Sequence, residues 1–308
     1  PIALSPVAKN YFDSSHPWLL GVMRRVGNKP LYEYLKDSDL VLLLGDRLQE
    51  WEMDWYDRSL VAKAKLLQVD PDPNEIGRVY PVAASAVGSI SSFLEGFPLK
   101  KHPQSAELGR EINLLRNRSP RPAIYPEGRD GLHPGNINNI VEELAAPSAV
   151  IVTDTGNAKL LSISQFRLKK GQKFIVADKF GPMGYGLPAA LGAALATGQE
   201  VICFIGDGGF QMSCNELGTA LNYGLKVIYI IENNSGCASV ANYQTSIYGH
   251  YCACDFKNPD FVRLAKSYGF PGYGARTADE FRNAFRLAQS AKGTVIIDAV
   301  CDRKLNIS

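Results

Sequence analysis

Two polar turns frame the segment from Gly206 to Asn234, GDGGFQMSCNELGTALNYGLKVIYIIENN, and their residue types could grip one ligand. Asp207 sits among Gly206, Gly208 and Gly209. Glycines let backbone N–H groups approach an anion such as phosphate, and a helix expected from about Ser213 adds the positive end of its dipole. A carboxylate beside phosphate is repulsive unless a divalent cation lies between them. A hard ion such as Mg²⁺ takes oxygen ligands and keeps phosphate oxygens in its shell. Asn234 offers an amide oxygen from the end of the next strand, and Gly236 a backbone carbonyl. Either turn alone reads as ordinary Asp or Asn turn chemistry. Together, framing a strand-helix-strand unit, they read as a site for a metal-bound phosphate group.

The elements that must position these turns alternate along the chain. AVIVTDTGN, KFIVAD, EVICFIGDGG, LKVIYIIENN and GTVIIDAVC read as strands. HPGNINNIVEELAA (with Asn136 as its cap), the small-residue run LPAALGAALATG, SCNELGTALNYG, FVRLAKSYG and DEFRNAFRLAQSA read as helices. Such alternation predicts a doubly wound parallel sheet, whose ligands lie beyond the carboxyl ends of the strands. DTGN, GPMG, GDGG and ENNSG all fall there. The first third shows a similar βαβ pattern. SDLVLLLG and AKLLQVDPDP read as buried parallel strands, and SAVGSISSFLEGF as a strand remnant and a helix. Between the blocks the chain turns polar, basic and proline-broken, with one helix expected over 105–116. The expected organisation is therefore α/β, two doubly wound parallel-sheet domains at 1–98 and 133–308, joined by a linker over 99–132.

Composition narrows the function. The 308 residues carry 33 basic and 31 acidic side chains, a formal net charge of +2, so no concentrated basic face points to nucleic acid or a membrane surface. No apolar run approaches a membrane span. No leader-like segment is visible, although Pro1 need not be the native start. Cys203 reads as a buried small hydrophobe. Cys252 and Cys254, in HYCACDF, read as loop thiols rather than a metal pair, and a reducing cytoplasm fits best. GYGLPA, followed by Asp207, satisfies a dinucleotide fingerprint, but a small-residue helix packed close on a sheet produces the same pattern.

At GDGG and NNSG the sequence resembles thiamine-diphosphate enzymes of the acetolactate synthase and pyruvate decarboxylase group, and the resemblance extends over nearly the whole chain. It implies that 1–98 is part of the group's middle domain and 133–308 its diphosphate-binding domain. Carried over, Asp207, Asn234 and the Gly236 carbonyl would hold Mg²⁺, with Cys237 adjoining the cofactor. Gly208, Gly209, Thr155, Asn157 and the Ala158 N–H would hold the diphosphate. In FGPMGYG, the Gly181 carbonyl and the Met183 N–H would bond the aminopyrimidine, and the Met183 side chain would wedge under the bent cofactor. The resemblance further implies decarboxylation of a 2-keto acid and ligation of the product to a second carbonyl compound. The group's activating glutamate lies on a pyrimidine-binding domain that normally precedes the middle domain. Neither Glu216 nor Glu232 stands where it could replace that residue; they read as a solvated helix residue and a strand-end residue. The expectation is that a second polypeptide supplies the pyrimidine-binding domain, giving a hetero-oligomer active only as a complex. NNSGCASVANYQ departs from acetolactate synthases, placing Ser239, Val240 and Tyr243 along a substrate wall suited to a different acceptor. HYCACDF reads as a lid or a disordered loop. GDRLQEW replaces a flavin-binding pattern; FAD retention stays open, with loss favoured. Simple 2-keto acid decarboxylation, a non-catalytic scaffold subunit and a dinucleotide oxidoreductase are the alternatives.

Overall fold

The computed structural model describes residues 1–24, 28–97, 105–118 and 121–303. The chain divides into two compact units, residues 1–9 with 14–120 and residues 10–13 with 121–308.

In the first unit β1 (Ile2–Leu4) and β2 (Leu19–Val22) pair in parallel, and α1 (Lys29–Lys36) follows with Pro30 in its first turn, where a missing N–H costs nothing. A second parallel sheet has the order β3 (Leu40–Leu44), β4 (Lys65–Asp70), β5 (Ala84–Val87). α2 (Ile90–Gly96) is capped by Ser89, whose hydroxyl accepts from the Ser92 N–H. The strand SDLVLLLG forms as expected but is not buried on both faces: Leu43 is buried while Leu40 and Leu42 are exposed. An apolar run marks a strand without saying how many of its faces are covered.

α3 (Ser105–Arg116) falls within the stretch read as linker, part of which lies outside the described residues. It brings Ile112 and Leu115 into the same buried cluster as Leu20, Leu31 and Leu66. Arg116 donates to the carbonyls of Ser14 (2.7 Å) and His16 (3.3 Å).

The second unit begins with α4 (Pro134–Leu144). Its cap is His133, not Asn136: the His133 Nδ1 accepts from the Gly135 N–H at 2.9 Å. Asn136 instead pairs with both backbone groups of Tyr125, at 2.8 and 3.0 Å, fastening the incoming chain to the helix. There follow β6 (Val150–Thr153), α5 (Asn157–Gln165), β7 (Lys173–Val176), α6 (Gly186–Thr197) and β8 (Val201–Gly206). Next come α7 (Asp207–Ser213), α8 (Leu217–Asn222), β9 (Val227–Asn233), α9 (Ala238–Tyr248) and α10 (Phe261–Ser267). β10 (Gly272–Ala275), α11 (Ala278–Ser290) and β11 (Val295–Val300) close the unit. The short, glycine-rich β10 carries too little apolar pattern to be read from sequence.

All six strands are parallel, in the order β10-β11-β9-β8-β6-β7. Val227, Tyr229 and Ile231 of central β9 face a core shared with α6, α8 and α10, and α4, α5 and α11 pack together on the opposite side. The Tyr229 hydroxyl donates to the Leu187 carbonyl at 3.1 Å, pinning β9 to α6. Asn10 belongs to this unit because its carboxamide pairs with both backbone groups of Phe174 on edge strand β7, at 2.7 and 2.5 Å. No helix among the described residues is long and apolar enough to cross a membrane.

The three tryptophans, Trp18, Trp51 and Trp55, all lie in the first unit, so their fluorescence reports its unfolding selectively. Ile112→Ala should destabilise that unit by about 2–5 kcal/mol, the cost of a cavity in a packed core. A tryptophan-detected denaturant midpoint unchanged from wild type would mean that α3 is only a tether.

Candidate functional site: a cavity at the strand ends

The strand order reverses between β6 and β8, which places the turns after these strands on either side of a topological switch point. These two turns and the one after β9 line one cavity of about 210 Å³. Three helices start at it, and none has a side-chain cap: α5 after Gly156, α7 after Gly206 and α9 after Cys237. Helix starts leave N–H groups without acceptors, and uncapped starts facing a shared cavity suit an anion. α7 begins at Asp207 itself, six residues before the expected start, so Gly208 and Gly209 lie in its first turn. The helical stretch then breaks at Cys214, which the sequence pattern did not reveal.

Asp207 is buried, 2% exposed. Its Oδ1 accepts from the Gly208 N–H at 2.8 Å, and its Oδ2 from the Asn234 N–H at 3.1 Å and the Asn258 Nδ2 at 2.8 Å. Burial pushes its carboxyl above the ordinary range, while Asn258 and the backbone donors of Gly208, Ser235 and Gly236 oppose that shift. The turn that delivers these donors holds Ser235 at φ +55°, a left-handed conformation uncommon for a residue with a side chain. Gly236 pairs with Asp255 in an isolated antiparallel bridge, and Phe256 donates to the Ser235 carbonyl at 3.1 Å. The end of HYCACDF thus braces the NNSG turn, and Arg303 ion-pairs with Asp255 behind it.

The Asn234 Oδ1 is buried and has no hydrogen-bond partner. Asn157, the first residue of α5, likewise presents a buried Oδ1 without a partner, and both residues line the cavity. Among the described residues no three His, Cys, Asp or Glu side chains converge as a metal cluster, so a cation here would draw on carboxylates and neutral oxygens together. That donor set suits a hard ion.

Of the residues singled out from sequence, Thr155, Asn157, Ala158, Met183, Asp207, Gly208 and Gly209 line this cavity. So do Asn234, Gly236, Cys237, Ser239 and Val240. Gly181 does not line it but stands beside Thr155 and Lys159 at the outer end of the same loops. Tyr243, half-exposed, lies a turn further along α9 and outside the lining. The Met183 methyl lies directly over Gly208.

Three further residues belong to the site. Asn258 supplies Asp207 with a donor and bonds Asn233 at 2.7 Å; a lone Asn in an NPD loop carries no motif. Asp154 accepts from the Gly184 N–H at 3.1 Å and the Gly186 N–H at 2.9 Å, fastening the GPMGYG loop to the DTGN turn. This occupies the N–H groups that the dinucleotide reading of GYGLPA would need. Glu232, read as a strand-end residue, is 2% exposed and lines the cavity. Burial, then the nearby Asp207, pushes its carboxyl up to about 8.

Residues 154–299 match the family described as thiamine pyrophosphate enzyme, C-terminal TPP binding domain, and residues 1–97 its central domain. The chain belongs to the thiamine pyrophosphate enzymes. Among its curated relatives are a probable acetolactate synthase large subunit of Methanococcus aeolicus, 28% identical over 98% of this chain and 53% of the relative. The putative thiamine pyrophosphate-containing protein YdaP of Bacillus subtilis is 29% identical over 97% of this chain and 52% of its own length. The acetolactate synthase large subunit of Pyropia yezoensis is 30% identical, with coverage of 97% and 52%. The chain thus spans about half the length of the curated relatives it matches.

A Cβ at Gly209 would run into the Asp154 carboxylate, whereas nothing lies within 4 Å of one at Gly218 on α8. Gly209→Ala should therefore cost about 1–3 kcal/mol by overpacking. Gly218→Ala should be neutral or stabilise by up to ~1 kcal/mol through helix propensity. Urea unfolding followed by circular dichroism checks both, and equal midpoints would contradict the packing described.

Proposed function

We propose that the cavity binds the diphosphate end of thiamine diphosphate through Mg²⁺, and that the protein acts in acetolactate-synthase-like chemistry. That chemistry is decarboxylation of a 2-keto acid and ligation of the product to a second carbonyl compound. The observation that carries this reading is the buried, partnerless Asn234 Oδ1 lining the same cavity as buried Asp207. In this reading Asp207, Asn234 and the Gly236 carbonyl hold the cation. Thr155, Asn157, the Ala158 N–H, Gly208 and Gly209 hold the diphosphate, assisted by the uncapped helix starts. Met183, with Gly181 behind it, sets the inclination of the rest of the cofactor. When bound, the thiazolium ring accepts the electron pair released as carbon dioxide leaves.

Ser239 and Val240 line the cavity on the first turn of α9, and they are the residues we assign to the acceptor side. Tyr243 is kept as an outer wall residue. The relatives named acetolactate synthase support carboligation over simple decarboxylation. Measuring product with and without an added carbonyl acceptor separates the two: free aldehyde in both cases would favour decarboxylation alone. Flavin is not part of this reading. In the first unit Arg47 of GDRLQEW is committed to Glu75 at 2.5 Å, and a purified protein showing flavin absorbance would overturn that point. We further propose that the pyrimidine-side groups, including the activating glutamate, come from a polypeptide beyond these 308 residues.

Calorimetry should show binding of thiamine diphosphate with Mg²⁺ and none of NAD. Asp207→Asn should weaken cofactor binding by about 100-fold, near 3 kcal/mol at 1.4 kcal/mol per decade. Unaltered affinity would end the reading, and lost affinity with full activity of the complex would favour a scaffold role. These residues alone should bind cofactor without releasing carbon dioxide from 2-keto acids, and adding a pyrimidine-binding polypeptide should restore turnover. Turnover by the chain alone would sink the requirement for that polypeptide.

A further inference from the structure

One carboxylate in the cavity has no role in the reading above. Glu232 stands near the end of β9, two residues before Asn234, and is almost wholly buried. Its Oε1 has no hydrogen-bond partner. Its neighbours across the sheet are Gly206 on β8 and Ala299 on β11, neither of which carries a side-chain donor. Asp207 differs: three described hydrogen bonds and the NNSG turn compensate its charge. A buried carboxylate oxygen left without a donor costs several kcal/mol, so its retention in a cavity calls for a group that binds there.

Candidates for that group are limited by what surrounds it. Glu232 shares the cavity with a second partnerless acceptor, the Asn234 Oδ1, and with the Asp207 carboxylate. Once ionised, carboxylates facing an amide oxygen cannot satisfy one another by hydrogen bonding, whereas a hard cation satisfies all of them. A diphosphate alone would make matters worse, since its charge has the same sign as both carboxylates.

We propose that Glu232 is a second carboxylate for the divalent cation, so that this chain takes up the ion before any diphosphate is present. This rests on the reading that Asp207 and Asn234 hold a cation. Mg²⁺ sites usually borrow much of their shell from substrate phosphates and water, with one or two carboxylates from the protein. A site with a single carboxylate depends on the phosphate to complete it. Adding Glu232, its proton displaced by the incoming ion, doubles the negative charge offered to the ion and makes diphosphate entry dependent on prior occupation by metal.

The test uses Mn²⁺ alone, with no diphosphate, titrated into the 308-residue chain while free Mn²⁺ is followed by electron paramagnetic resonance. Wild type should bind one ion, and Glu232→Gln should weaken it by about tenfold or more. Glu232→Asp, which keeps the charge on a shorter stem, should recover part of that loss. Asp207→Asn should also weaken binding. If Asp207→Asn weakens Mn²⁺ while Glu232→Gln matches wild type, the role of Glu232 is overturned and the cation reading stands. If neither variant changes the affinity, the cation reading falls and the inference with it. Glu232→Asp no better than Glu232→Gln also overturns it. Should Glu232→Gln fail to fold, Mn²⁺ titration of wild type with and without inorganic pyrophosphate decides. Mn²⁺ binding without pyrophosphate supports the proposal, and Mn²⁺ binding only when pyrophosphate is present refutes it.

Discussion

The buried carboxylate of Asp207 joins the ends of two neighbouring strands, and the site depends on that junction. Its oxygens collect the Gly208 N–H from its own turn and the Asn234 N–H from the next strand's turn. A charge this buried is tolerable only with such donors around it. They arrive because β8 and β9 run in register from Val201 opposite Val227 to Gly206 opposite Glu232. A slip of one residue would turn the Tyr229 face away from its core and carry Asn234 out of reach, so core packing and site geometry are set by the same register.

Asp154, at the end of β6, shows a different use of a buried carboxylate. Its oxygens are taken up by Gly184 and Gly186, and Thr155 and Tyr185 add further backbone donors. It is a fastener between loops and has little capacity left for a ligand. The glycines around it follow from this position: a Cβ at Gly186 or Gly209 would collide with Asp154. Satisfaction, more than charge or burial, separates the carboxylates that build this cavity from those that face a ligand. Asp154 is saturated, Asp207 is saturated on the turn side, and Glu232 keeps an oxygen without a partner.

Much of this was legible in the residues themselves. Long apolar strands punctuated by GDGG and NNSG gave both the parallel sheet and the location of the cavity, because such strands can be covered only by helices and their ends must turn. The residues missed fall into two physical classes. Asn258 and Asp154 act through single hydrogen bonds across distant loops, which leave no periodic or composition signal. Glu232 reads from sequence as an ordinary strand-end residue because carboxylates are seldom buried, a rule that fails where a cavity opens at the strand end. Cap assignments failed similarly: Asn136 has the right type to cap α4, but its carboxamide is engaged by Tyr125, and His133 takes the capping role.

The first unit offers a comparison within one chain. It too has parallel strands ending in acidic turns, the glycine-containing GDRL after β3 and the proline-containing DPDP after β4. There, however, the polar groups close on one another. Gln68 donates to the carbonyls of Asp46 and Glu75 and accepts from the Gly77 N–H. Glu75 is paired with both Arg47 and Arg78. Asp46 and Asp70 each accept from a backbone N–H two residues on. Parallel topology alone therefore does not make a ligand site; it only gathers polar turns at one edge. In the second unit the gathered turns leave acceptor oxygens of Asn157, Glu232 and Asn234 without partners and three helix starts without caps. A cation and an anion entering together would satisfy buried acceptors and uncapped donors at once, and that pairing is what a metal-bound diphosphate would supply.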